Sequence, residues 1–129
     1  MASDGDHLAD ACCTVEQLRD DVEDPVADLE GLRSDAERVE TQTSVYGALA
    51  NEHRVRILEA LRDGERCVCE LQVVLDAPQS TVATHLRTLR DAGLVKSRKK
   101  GRWTYYRIAD TAVFELLDVA AAVDVPSDD

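Results

Sequence analysis

The tightest constraint on this chain is a change of hydrophobic period at Gly93. Before it, Val82, Leu86 and Leu89 recur at helical spacing behind Pro78; after it, the period shortens to 2 in two β-branched or aromatic-bearing stretches that reach Ile108. A stripe at i, i+4 and i+7 buries one face of a helix, whereas alternation buries one face of a strand. A helix over 78–91 therefore passes directly into two strands, 94–98 and 102–108, joined by a Lys99-Lys100-Gly101 turn. Trp103, Tyr105 and Arg107 share one face of this hairpin, and Thr104, Tyr106 and Ile108 the other.

Upstream, the period is helical. Asn51 can cap a helix over 52–62 that buries Val55, Ile57, Leu58 and Leu61 and ends at Asp63-Gly64. A short helix over 68–75 puts Leu71, Val74 and Leu75 inside, and Asp76-Ala77-Pro78 turns the chain into the next helix. Earlier still, Thr14 opens a capping box with Gln17. Apolar residues follow at 15, 18, 22, 26, 29, 32, 36 and 39, with Pro25 interrupting, which predicts helices over 14–23 and 25–40 and a short one over 43–50. A last amphipathic helix over 110–123 carries Val113, Phe114, Leu116, Leu117 and Ala120. The expected architecture is mainly α with a β-hairpin, a winged helix-turn-helix. Residues 1–13 read as a polar arm and 14–129 as the domain, with its core over about 41–108. No apolar run approaches the ~20 residues of a membrane span. The acidic N-terminus has no hydrophobic signal region, so a cytoplasmic protein without membrane contact is expected.

Charge is unevenly spread. The 129 residues carry a net charge of −11, yet His85 to Arg107 holds eight bases against one acid, a local +7, and the rest carries −18. A basic island in an acidic chain is the footprint of a polyanion partner. Only three residues are lysine, and the acid-rich composition is of the kind that keeps proteins of salt-loving organisms soluble. The outer face of helix 78–91 presents Gln79, Ser80, Thr81, Thr84, His85, Arg87 and Thr88, side chains suited to base edges and phosphates in a major groove of double-stranded DNA. Arg98, Lys99, Lys100 and Arg102 at the hairpin tip suit the backbone or a minor groove. No nucleophile–base pair or phosphate-cradling glycine loop points to an enzyme.

Two stretches resemble the ArsR–SmtB family of metal-sensing repressors: Ala77-Pro78-Gln79-Ser80-Thr81-Val82-Ala83-Thr84-His85-Leu86 and Leu89-Arg90-Asp91-Ala92-Gly93-Leu94-Val95. So do Leu49-Ala50-Asn51-Glu52-His53-Arg54-Val55-Arg56-Ile57-Leu58 and Gly101-Arg102-Trp103-Thr104-Tyr105-Tyr106-Arg107-Ile108. The resemblance covers about residues 40–120. It implies a homodimer held by the first and last helices, through the stripes at 15–39 and 113–120. Such a dimer represses from an operator and leaves it when an inducer binds.

Four cysteines fall in two pairs, Cys12-Cys13 and Cys67-Val68-Cys69. Cys67-Val68-Cys69-Glu70-Leu71 resembles the family's metal box, with Glu70 where aspartate is usual. Residues i and i+2 point about 200° apart on a regular helix, so both sulfurs meet one ion only if the first turn is extended or distorted. The third thiol of arsenic-type boxes is Gln72 here, which leaves Cys12 and Cys13 as substitutes. Three thiolates suit As(III) or Sb(III), the preferred inducers, and four suit Cd(II), Pb(II) or Zn(II). His7 is a further possible arm ligand. The family's second site, on the C-terminal helix, is expected to be absent, because Asp110, Glu115 and Asp118 there have no histidine beside them. His85 is assigned to DNA contact or local hydrogen bonding and His53 to packing. The alternatives left open are a redox-responsive or ligand-independent regulator, or an interaction module of a transcription assembly.

Overall fold

The computed structural model describes residues 14–127. The chain divides between Val39 and Glu40 into two compact units.

In the first unit, helix α1 spans Val15–Leu18 and α2 spans Pro25–Glu30. Thr14 caps α1 reciprocally with Gln17, at 3.2 and 3.1 Å. Asp24 accepts from the Ala27 N–H at 3.1 Å and Pro25 fills the first helical position, as its fixed φ favours. Arg19 ties the two helices through Asp28 at 2.6 Å. The expected helix over 14–23 is thus only one turn long. Asp20, Asp21 and Glu23 would have stood at its C-terminal end, where the helix dipole repels negative charge. The expected helix over 25–40 also stops early, at Gly31. A new helix, α3, runs Ala36–Leu49, with the Glu37 N–H held by Asp35 Oδ1 at 3.1 Å. It replaces the end of one expected helix and all of the short one over 43–50.

The second unit holds the rest of α3, then α4 (Glu52–Ala60), β1 (Arg66–Cys67), α5 (Val68–Leu75), α6 (Gln79–Asp91), β2 (Val95–Lys100), β3 (Trp103–Ile108) and α7 (Ala112–Ala122). Asn51 caps α4 through the Arg54 N–H at 3.1 Å. Ala48, Ile57, Leu58, Leu61, Leu71, Leu75, Val82, Leu86, Leu89, Leu94, Val95, Val113 and Leu117 form one buried cluster. Every helix of this unit and the root of the hairpin contribute to it. Val74, expected inside, is 45% exposed, because Leu71 and Leu75 alone set the buried edge of α5. On α7 only Val113 and Leu117 are buried, while Ala120 is exposed and Phe114 and Leu116 are half-buried.

Gly93 ends α6 at φ 80°, and the Leu94 N–H reaches back to the Leu89 carbonyl at 2.9 Å. The strands run to Lys100 and restart at Trp103, so the turn is Gly101-Arg102 and not 99–101. Gly101 at φ 64° supplies the positive φ that a two-residue hairpin asks of its first position. The sheet has three strands in the order β1-β3-β2, all antiparallel, with Cys67 opposite Tyr105. The hairpin alone was expected. Two residues of β1 are too few to show alternation. No helix among the described residues is long and apolar enough to cross a membrane.

Candidate nucleic-acid interface and thiol pair

Helix α6 sinks Val82, Leu86 and Leu89 into the core, which fixes its other face outward. Gln79, Ser80, Thr84 and Arg87 are exposed there, and Thr81 and Thr88 are half-buried beside them. Pro78 is the residue before the helix, in extended backbone, and no side chain caps that end. The Thr81 N–H turns back to the Pro78 carbonyl at 3.1 Å, which leaves the Gln79 and Ser80 N–H groups to an outside acceptor such as a phosphate. Thr84 and Thr88 donate their hydroxyl hydrogens back to the Ser80 and Thr84 carbonyls, at 2.9 and 3.3 Å, leaving oxygen lone pairs to face outward.

The hairpin tip is split in role. Arg98 grips Glu65 with two nitrogens, each 2.7 Å from a carboxylate oxygen, and lies over the Tyr105 ring at 5.6 Å. Its guanidinium holds the Glu65 carboxyl below the usual range. Arg98 is therefore a brace for the hairpin. Lys99, Lys100 and Arg102 are exposed and form no ion pair among the described residues. Arg102 lies over Trp103 at 5.3 Å. Sequence reasoning missed Glu65 and the place of Trp103 beside Arg102; the partner of Glu65, Arg98, lies 33 positions later, so the pair carries no local signal.

His85 is turned away from the polar face. Its Nδ1 accepts from Arg54 Nη1 at 3.2 Å, and its ring stands 5.3 Å from that of His53 on α4. Since arginine can only donate, neutral His85 carries its proton on Nε2. Arg54 also donates to the Ala48 and Gly47 carbonyls, at 2.7 and 3.3 Å, and so ties the end of α3 to α6. Of the two roles expected for His85, the structure displays local hydrogen bonding. Burial foremost, then Arg54 and His53, push the His85 pKa down. The unfolded chain then binds a proton that the folded chain resists, so stability is complete above the ordinary value near 6.5 and declines as pH falls below it. Urea midpoints measured from about pH 7.5 to about pH 5.5 should fall more steeply for the wild type than for His85→Gln, which keeps an acceptor for Arg54. Parallel curves would show that His85 contributes nothing to this slope.

The thiol pair lies at the junction of β1 and α5. Cys67 is the last residue of β1 and the cap of α5, with φ −84° and ψ 167°; Cys69 is the second helical residue. The extended cap is the distortion that the i, i+2 geometry needs. It brings the two Cα atoms to 5.4 Å, and the sulfurs are joined as a disulfide. Cys67 is 7% exposed, and Cys69 is on the surface. Glu70 accepts from the Cys67 N–H at 2.9 Å and is itself reached by Arg66. The carboxylate of this box is thus occupied in capping. Cys12, Cys13 and His7 lie outside the described residues, among which no group of three or more His, Cys, Asp or Glu is gathered to hold a metal ion. On α7, Asp118 pairs with Arg62 at 3.0 Å and Asp110 caps Ala112 at 2.8 Å.

Beside the sulfurs is a cleft of about 300 Å³, lined by Cys67, Val68, Cys69, Gln72, Gln79, Arg102, Trp103 and Thr104. It joins the sensor candidate to the first residue of α6 and to the hairpin tip.

Residues 51–97 match the family described as "Bacterial regulatory protein, arsR family". An uncharacterized HTH-type transcriptional regulator of Methanocaldococcus jannaschii is 38% identical over 82 residues, 63% of this chain and 92% of that protein. The arsenic resistance transcriptional regulator ArsR1 of Pseudomonas putida is 44% identical over 69 residues, but the match spans 53% of this chain and only 54% of that relative. A homodimeric winged helix-turn-helix DNA-binding domain from Mycobacterium bovis, described as a possible ArsR-family regulator, superposes with a TM-score of 0.64 at 34% identity, covering 70% of this chain and 85% of that one. The chain belongs to the ArsR family, whose members are DNA-binding transcriptional regulators and not enzymes.

Proposed function

We propose that the chain is a homodimeric repressor that holds double-stranded operator DNA through α6 and its wing, the β2–β3 hairpin, and leaves it when a thiophilic ion binds the cysteines. The supporting observation is the cleft: the thiol pair, Gln79 of α6 and Arg102 to Thr104 of the wing line one space. Anything bound to the sulfurs therefore presses on both elements assigned to DNA. Gln79, Ser80, Thr81, Thr84 and Arg87 read base edges, and Lys99, Lys100 and Arg102 neutralise phosphates. Arg98 and His85 support these elements from behind.

The described residues fit an ion only in part, because Gln72 stands where a third thiol would be and two sulfurs fall short of a closed site. Cys12 and Cys13 of the arm complete the set to three or four. Three thiolates favour As(III) or Sb(III), in keeping with the name of the Pseudomonas putida relative. Dimerisation would cover apolar side chains that are exposed in a single chain, among them Leu18 and Leu32 in the first unit and Val119 and Val123 near the C-terminus.

The test is a gel shift on promoter DNA at stated salt, with reduced protein and arsenite, antimonite, cadmium, lead or zinc. Arsenite and antimonite should release DNA at the lowest concentrations. If no ion changes binding, the sensor reading fails. The Cys67–Cys69 disulfide favours a second reading, in which oxidation of the pair is itself the signal. Under it, peroxide releases DNA from metal-free protein and a reductant restores binding.

A further inference from the structure

Arg54 draws two other elements onto one guanidinium. Its Nε and Nη2 donate to the Ala48 and Gly47 carbonyls, in the last turn of α3, where a helix leaves acceptors unpaired. Its Nη1 donates to His85 Nδ1, midway along α6. The third bond holds only while that nitrogen has a lone pair to offer. An imidazolium carries N–H at both nitrogens, and arginine has no acceptor with which to meet it.

A seat for the displaced N–H is already in place. His53 Nδ1 is buried and has no hydrogen-bond partner among the described residues. Buried polar groups of native proteins are almost always paired, so an open ring nitrogen calls for a reason. The His53 and His85 centroids are 5.3 Å apart, which leaves about 3 Å, an N–H···N distance, between nitrogens turned toward each other. Arg54 and His53, both on α4, are also the charged or titratable groups that act on His85, and both disfavour its charged form. Helix α3 faces the cluster with carbonyls, and α5 and β2 pack on α6 through Leu71, Leu75 and Val95. No carboxylate of these elements or of α6 offsets the two.

We propose that His85 is a two-position catch on the helix that reads DNA. Neutral, it accepts from Arg54 and seats α6 against the end of α3. Protonated, it lets Arg54 go and donates its Nδ1–H to His53 Nδ1. Arg54 is thus a positioning residue for DNA binding, and protons and operator compete for the chain. No covalent bond changes, and the proton comes from solvent. A seated α6 presents Gln79, Ser80, Thr84 and Arg87 in their binding arrangement, so less ordering is left to the moment of binding. The sign is opposite to that of a histidine held against a phosphate, where a proton would strengthen binding. The catch rests on the reading of α6 as the DNA-contacting helix and is independent of the thiols.

The test is operator binding by the full reduced chain, followed by fluorescence anisotropy at constant salt from about pH 7.5 to about pH 5.5. Affinity should be level above about pH 6.5 and fall below it, about tenfold for each α6 on the DNA and hence about a hundredfold for the dimer. His85→Gln keeps an acceptor for Arg54 and takes up no proton, so its affinity should vary by less than about threefold across the range. His53→Phe keeps a ring and removes the second seat, so the fall should move to lower pH. Arg54→Lys keeps the charge but cannot span three acceptors. At pH 7.5, where acid unfolding plays no part, it should bind about tenfold more weakly for each α6, and its pH profile should be flatter. Imidazole nitrogen-15 spectra should show His85 protonated at Nε2 alone at pH 7.5. The proposal is overturned if affinity rises as pH falls, if the wild type and His85→Gln have parallel profiles, or if Arg54→Lys binds and titrates as the wild type does. A chain that binds no promoter DNA at any pH would remove the DNA reading of α6. The nitrogen spectra would still decide the catch, since His85 protonated at Nδ1 at pH 7.5 overturns it.

Discussion

Serine in place of Cys67 is expected to leave the operator occupied at arsenite concentrations that clear it of the wild type, a shift of about a hundredfold or more in the releasing concentration. The substitution separates sensing from folding. Serine is among the best helix caps, so α5 keeps its start and the Cys67 N–H keeps its bond to Glu70. Operator affinity without inducer should therefore stay within about threefold, since nothing on α6 or the wing tip is removed. What is lost is one thiolate of a set that the described residues supply only twice. Release curves followed by fluorescence anisotropy of labelled DNA measure both quantities. A Cys67→Ser variant that lets go at the wild-type concentration would place the inducer elsewhere.

The other large effect belongs to the wing. A variant with Lys99→Ala, Lys100→Ala and Arg102→Ala should lower the slope of log affinity against log salt by about 2.7 for each wing on the DNA, hence about 5.4 for the dimer, at roughly 0.9 per phosphate contact. If the two proteins converge near 1 M salt, the same slope makes each wing's loss worth about 500-fold in affinity at 0.1 M. These side chains are exposed and make no ion pair among the described residues, so the urea midpoint should not move. Arg98→Ala is the contrast. Arg98 is engaged with Glu65, so its loss should change the salt slope by less than one phosphate contact would. An unchanged slope in the triple variant would remove the wing from the DNA interface. The −18 carried by the rest of the chain sharpens the effect, because it repels DNA from every other approach.

The sequence was most legible where one residue type carried one job. Val82, Leu86 and Leu89 announced α6, and the structure buries all three. Helix α5 falls on the expected 68–75 because its cap and its αL exit at Asp76 bracket it closely. Asn51 and Gly93 likewise act where their chemistry says they should. Legibility failed where structure depends on partners distant in sequence. Strand β1 exists because β3 is there to pair with it. Val74 is apolar and sits one position off the stripe that packs, so composition alone placed it inside. The N-terminal stripe at 15–39 promised two continuous helices, and clustered acids and Gly31 cut them short. At the candidate site, the thiol pair was visible as a motif. Its neighbours across the cleft, Trp103 and Gln79, became visible only once the wing was folded back against α5. The role of His85 turned on Arg54, 31 positions earlier.

The pairing of Cys67 with Tyr105 has one further consequence. Cys67 is at once a rung of the wing's sheet and the first link of the helix that bears the thiols, and no residue separates the two elements. A joint without a linker has no slack. Any twist imposed at the sulfurs must be shared between the β1–β3 rungs and the pitch of α5, because no intervening bond can absorb it. Gain of this kind is obtained at the expense of tolerance. Lengthening the chain by a single glycine between Cys67 and Val68 would leave every DNA-contacting side chain in place, but it would widen the spacing of the two thiols and slacken the joint, giving a regulator that holds DNA and answers its inducer weakly.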